Sequence, residues 1–96
     1  MTQKLEKPIE QKFRKAVQAM GCIVVKFEDP AHRGAPDRLV LTSRGRAIFL
    51  EFKRPGETPE PHQLRYMETL RKMGFLAGWA DNYDSAIRWI EKVITQ

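Results

Sequence analysis

Apolar residues recur along this chain with two different periods, and the switches between them divide it into seven elements. Ile9, Phe13, Val17 and Met20 fall at steps of three and four. They form one stripe of a helix that starts near Pro8, a good first-turn residue, and stops at Gly21. CIVVKFE follows, a β-branched run that reads as a strand, and the Pro- and Gly-dense DPAHRGAP reads as a loop. DRLVLT and RAIFLEFK, separated by SRG, form a hairpin whose arms are almost wholly apolar on both faces. Such strands lie centrally in a sheet, covered by helices. RPGETPEP breaks the chain, and HQLRYMETLRKMG resumes helical spacing with Leu64, Met67 and Leu70 on one side and Gly74 as the stop. FLAGWAD is a short strand. Asp81 to Asp84 can cap a last helix that buries Ala86, Ile87, Ile90, Val93 and Ile94. The fold class is therefore α/β, a mixed β-sheet of about four strands flanked by helices in the order α-β-β-β-α-β-α.

No repeat, low-complexity stretch or long linker interrupts this order, and 96 residues with 42% hydrophobic content supply one core. We read a single domain over residues 1–96, with its core at about 8–94. Cys22 is the lone cysteine, which excludes an intrachain disulfide and a cysteine-rich zinc cluster and fits a reducing compartment, by default the cytoplasm. The N-terminus MTQKLEKPIEQKFRK has no apolar run of signal-peptide length, and no segment approaches the roughly 20 apolar residues of a membrane span. A soluble protein that is neither exported nor membrane-bound is expected. A formal charge of +5 points toward a polyanionic partner. The basic residues are dispersed, so binding would use a folded surface; a merely solubilising surface fits composition equally well.

Chemistry concentrates in Pro36-Asp37 and Glu51-Phe52-Lys53. If the hairpin loop has three residues, with Gly45 in the left-handed conformation, Thr42 pairs with Arg46 and Asp37 with Glu51. Opposed residues share a face, and Lys53 joins them because side chains alternate with period two. A two-residue loop at Arg44-Gly45 would set Asp37 opposite Phe52 and scatter the charges. Two opposed carboxylates are destabilising unless something offsets them, and a divalent cation does so. Carboxylate oxygens, a backbone carbonyl and waters suit Mg²⁺, with Mn²⁺ as substitute. Such a centre, with Lys53 stabilising developing charge, has the parts that phosphodiester hydrolysis uses.

Glu10 shares a helix face with Phe13 and Val17, which points a carboxylate toward the sheet; the alternative is a solvent-facing Glu at the stripe's margin. Gln63 and Tyr66 lie one turn apart, where an amide and a phenol could reach a phosphate or an attacking water, or form only a capping or surface pair. Arg33, Arg38 and Arg54, next to the motif, are candidate phosphate contacts. His32 and His62 lack a second close histidine and stay outside the core site. Trp79 and Trp89 fall in patterns of core packing.

Together, Glu10, RGAPDRLVL, AIFLEFKRP and HQLRYMETLRKMGF resemble the VRR-NUC family of the PD-(D/E)xK nuclease superfamily, over roughly Ile9 to Ile90. The resemblance implies a restriction-endonuclease-like fold, with Asp37, Glu51 and the Phe52 backbone carbonyl as metal ligands and Lys53 as catalytic lysine. It also implies Glu10 and Gln63 as supporting site residues. FLAGWADN lacks the Val-Arg-Arg-like triplet that gives the family its name. Stand-alone members resemble phage-encoded proteins, tend to be homodimers and act on branched DNA such as Holliday junctions. The expectation is thus an Mg²⁺-dependent, structure-selective DNA endonuclease of a phage or bacterial cytoplasm, with no organic cofactor. The alternatives are a non-catalytic nucleic-acid-binding module that keeps the fold, or a subunit needing a partner, for which the apolar AIRWIEKVI helix offers a docking face if it is not core.

Overall fold

The computed structural model describes residues 3–96, with side chains from Pro8 onward. Its elements are α1 (Gln3–Ala19), β1 (Ile23–Lys26), β2 (Arg38–Leu41), β3 (Ala47–Phe52), α2 (Pro61–Lys72), β4 (Leu76–Ala80) and α3 (Tyr83–Ile94). This is the predicted order. The four strands form one sheet in the order β1-β2-β3-β4, antiparallel except for the parallel β3–β4 pair, so the sheet is mixed. Among the described residues, no helix is long and apolar enough to cross a membrane.

Helix α1 begins five residues ahead of the place that Pro8 suggested. Gln, Lys and Leu are good helix formers and carry the helix upstream, so Pro8 sits inside it and forgoes one backbone bond near the end. Alternation along the strands sends side chains to two cores. Val24, Val40, Ile48, Leu50 and Phe52 pack with Phe13 and Val17 of α1 and with Ala86, Ile87, Ile90 and Val93 of α3. Phe49 and Ala77, on the other face, pack with Met67 and Leu70 of α2. The apolar stripe of α3 is therefore core, and a docking role is not needed to account for it.

Two positions depart from expectation at the margins of the α2 side. Leu64 is exposed instead of buried, because the inward face of α2 runs through Gln63, Tyr66, Met67 and Leu70. Trp79 is also exposed, since it lies on the edge strand β4, whereas Trp89 packs against the core as expected.

The hairpin register decides the site. Leu41 pairs with Ala47 and Arg38 with Leu50, and the Thr42 N–H donates to the Arg46 carbonyl at 2.9 Å. Gly45 takes φ +76, closing a three-residue loop. Extending the ladder by one residue at its far end sets Asp37 opposite Glu51.

Candidate active site

Glu51 is the buried charged side chain of the described residues, at 7% exposure, on the α2 face of the sheet's central strand β3. Burial of a carboxylate is costly without partners, and Glu51 has them. Oε1 accepts the Asp37 backbone N–H at 3.1 Å, Oε2 accepts the Gln63 amide at 3.2 Å, and the Lys53 ammonium stands 3.7 Å from Oε2. Phe52 separates Glu51 from Lys53 and points the other way, its ring edge-on to Phe13 at 5.0 Å between centroids. That contact fixes the end of β3, and with it the direction of both charged neighbours and of the Phe52 carbonyl between them.

Asp37 precedes β2. Its backbone carbonyl accepts from the Phe27 N–H at 2.9 Å and from the Arg38 guanidinium at 2.8 Å. Its Oδ1 is buried without a hydrogen-bond partner. Burial pushes this carboxyl up to about 6, against the pull of Arg38 and a Phe52 backbone hydrogen bond; the charge of Glu10 pushes it further up.

Glu10 does point inward, but its carboxylate is taken by Arg38 in an ion pair of two largely buried side chains. Arg38 faces α1 because its strand position is one removed from Asp37. It therefore braces Glu10 and the Asp37 carbonyl and is turned away from any surface phosphate, contrary to the sequence expectation. Arg54 is likewise engaged, with Glu57. Arg33 is exposed in the loop before Gly34.

Gln63 caps its helix, the plainer of its two predicted roles, and its amide meets Glu51. Its Oε1 accepts the Glu60 backbone N–H at 2.8 Å, one half of a helix-capping arrangement, and this aims its amide nitrogen at Glu51. Tyr66, one turn on, does not reach the carboxylate pair; its hydroxyl donates to Asp29 at 2.8 Å. Asp29 also holds His32, Nδ1 to Oδ2 2.9 Å. Sequence reasoning set His32 aside for want of a second histidine, although its partner is an aspartate three residues upstream across Pro30.

Among the described residues, no group of three or more His, Cys, Asp or Glu side chains is placed to hold a metal ion together. The available oxygens are those of Asp37, Glu51 and the chain at Phe52. An open cleft of about 420 Å³ leads to Asp37 past Lys26, Phe27, Asp29, His32 and Gly34.

The fold and site define an α/β domain whose four-stranded mixed sheet holds a buried carboxylate against a lysine, a glutamine amide and the Asp37 backbone at one strand end. No family model matches the chain. A curated relative, named Putative nuclease p44, of Acyrthosiphon pisum secondary endosymbiont phage 1, is 42% identical over 79 residues, 82% of this chain and 85% of that one. A solved structure described as VRR_NUC domain superposes with a TM-score of 0.82 at 32% identity, covering 90% of this chain and 94% of the other. The chain belongs to the VRR-NUC nuclease-domain family.

Proposed function

We propose that this protein is a metal-dependent endonuclease of the PD-(D/E)xK type that hydrolyses phosphodiester bonds in DNA. The observation that carries the reading is the buried Glu51 carboxylate, held by the Asp37 backbone N–H and faced by Lys53, beside an Asp37 carboxylate oxygen that is buried and unpartnered. An orphaned buried carboxylate oxygen is expensive, and a hard cation is its natural partner. Asp37, Glu51 and the Phe52 carbonyl would hold Mg²⁺, with Mn²⁺ as substitute. When bound, such an ion supplies Lewis acidity toward a phosphoryl oxygen and acidifies water.

The chain's own residues do the rest. Lys53, half-buried and tethered to Glu51, stabilises negative charge developing on the phosphoryl group. Gln63 fixes the orientation of the Glu51 carboxylate, and Glu10 acts on the site through Arg38, whose guanidinium also bonds the Asp37 carbonyl. Arg33 is placed to meet backbone phosphates at the surface.

The same reading extends to substrate and assembly. So small a domain has little surface for reading bases, which favours recognition of DNA shape, at branched structures such as a Holliday junction. A homodimer suits that substrate, because two sites related by a two-fold axis make symmetric nicks. Exposed Ile23, Val25 and Leu41 at the β1 side of the sheet give such a dimer apolar area to bury.

The test is incubation with labelled four-way junction, flap, single-stranded and linear duplex DNA in Mg²⁺, Mn²⁺ or EDTA, with Glu51→Ala alongside. Metal-dependent cutting that the variant loses supports the reading and ranks the substrates. Binding without cutting under every metal condition overturns it in favour of a non-catalytic module or a partner-dependent subunit.

A further inference from the structure

Resting on the nuclease reading, we infer that His32 is a phosphate-binding residue for the nucleic-acid strand, contacting the backbone in the cleft that leads to Asp37. Asp29 supports this side chain and is itself held by two other groups. Asp29 Oδ2 takes the His32 Nδ1 at 2.9 Å, Asp29 Oδ1 accepts the Ala31 N–H at 3.0 Å, and the Tyr66 hydroxyl of α2 donates to Asp29 Oδ2 at 2.8 Å. Asp29 is only 19% exposed, while the His32 side chain it holds is 74% exposed. With Nδ1 committed, the ring presents Nε2 outward. A carboxylate that orients one imidazole nitrogen so that the other faces a ligand is a common use of such a pair.

His32 lines two hollows, one beside Tyr66 and Met73 on α2 and the other the cleft of about 420 Å³ that it shares with Asp37, and the second leads toward the carboxylates. Gly34 and Ala35 form part of its wall. The other charged groups there are accounted for. Lys26 pairs with Glu28 at 3.4 Å, both well exposed; Asp29 braces His32; Asp37 belongs to the carboxylate pair. An imidazole N–H at this point donates to a non-bridging phosphate oxygen, a contact that positions the strand without reading its bases. Tyr66 thereby becomes a positioning residue that acts through Asp29.

The experiment is binding of a short labelled DNA duplex in EDTA by wild type, His32→Ala, His32→Arg and Asp29→Asn. Metal-dependent cleavage by the wild type is assayed in parallel. Expected are a roughly five- to tenfold loss for His32→Ala and a salt dependence shallower by about one in slope, as for a lost phosphate contact. Recovery is expected in His32→Arg and an intermediate loss in Asp29→Asn. If His32→Ala binds like a wild type that cuts, the inference falls and the nuclease reading stands. If the wild type binds through His32 yet cuts under no metal condition, the inference holds and the nuclease reading falls. A wild type that neither binds nor cuts overturns both.

Discussion

At Asp37, burial and charge oppose each other, and the balance is measurable. Its carboxyl is raised to about 6 in the folded protein from an ordinary value near 3.8. The folded state therefore holds this proton more tightly than the unfolded state, so the group costs stability as pH rises from about 4 to 6, and the cost is complete above that. We expect the metal-free protein to gain up to about 3 kcal/mol from this group on acidification from neutral pH to about 4. Asp29, Glu57 and Asp81 shift the opposite way, so their stabilisation is lost only as pH falls below the usual carboxylate range. Urea melts across pH would reveal the effect, and Asp37→Asn should flatten the profile between pH 4 and 6; an unchanged profile would place the cost elsewhere. Lys53→Ala should lower the cleavage rate about a hundredfold or more while leaving the circular dichroism spectrum intact, because the residue serves charge stabilisation more than packing; collapse of the spectrum would make it structural. Alternation set Asp37 opposite Glu51 with Lys53 on the same face only for a three-residue hairpin loop, a choice the sequence left open and the register of the structure makes. The engagement of Arg38 with Glu10 was not legible, since a linear reading sees that arginine beside Asp37 and does not register that adjacent strand positions face opposite ways.

At the scale of elements, the loop before β2 and the start of α2 are fitted to each other at Gly34. Its φ is +92, and a Cβ there would stand 2.5 Å from the His62 carbonyl oxygen and 3.1 Å from the Gln63 nitrogen. Both conflicts fall on backbone, so relief requires α2 to retreat. Gly34→Ala should therefore cost about 2 kcal/mol or more. It should also draw Gln63 away from Glu51, lowering kcat more than KM changes. A variant with wild-type melting and rates would mean that the loop yields and α2 does not depend on it. RGAP announced a loop but not this contact, which joins residues nearly thirty apart. The limits of pattern reading show in the same helix. Leu64 was grouped with Met67 and Leu70 by hydrophobicity, yet the inward position one residue earlier is polar Gln63, placed there by its bond to Glu51.

Across the whole molecule, the two cores hold the sheet from both sides, and a cleft opens at Asp37, ahead of β2. Fold order and sheet composition followed from periodicity, because each element is either helical or alternating over most of its length. What the sequence left open was the assembly of distant loops around the site: the Asp29 to His32 and Tyr66 contacts, and the tie from the Gly56 N–H to Asp81 at 2.9 Å, which links the loop after β3 to the end of β4. The site itself exists only when the chain is folded, since Asp37, Glu51 and Gln63 come from three different elements or loops. A ligand that binds only this folded arrangement must stabilise the whole domain by mass action, by about 2.7 kcal/mol at a hundredfold excess over Kd. In a chain this size that raises Tm by roughly 10 °C or more. We expect Mg²⁺ or Mn²⁺ to produce a concentration-dependent rise in scanning calorimetry, strongly reduced in Asp37→Asn and in Glu51→Gln. Lys53→Ala should retain it, since an ammonium is no metal ligand. A rise of equal size in all three variants would show that the cations act on the general surface charge, and would remove the carboxylate pair as their binding site.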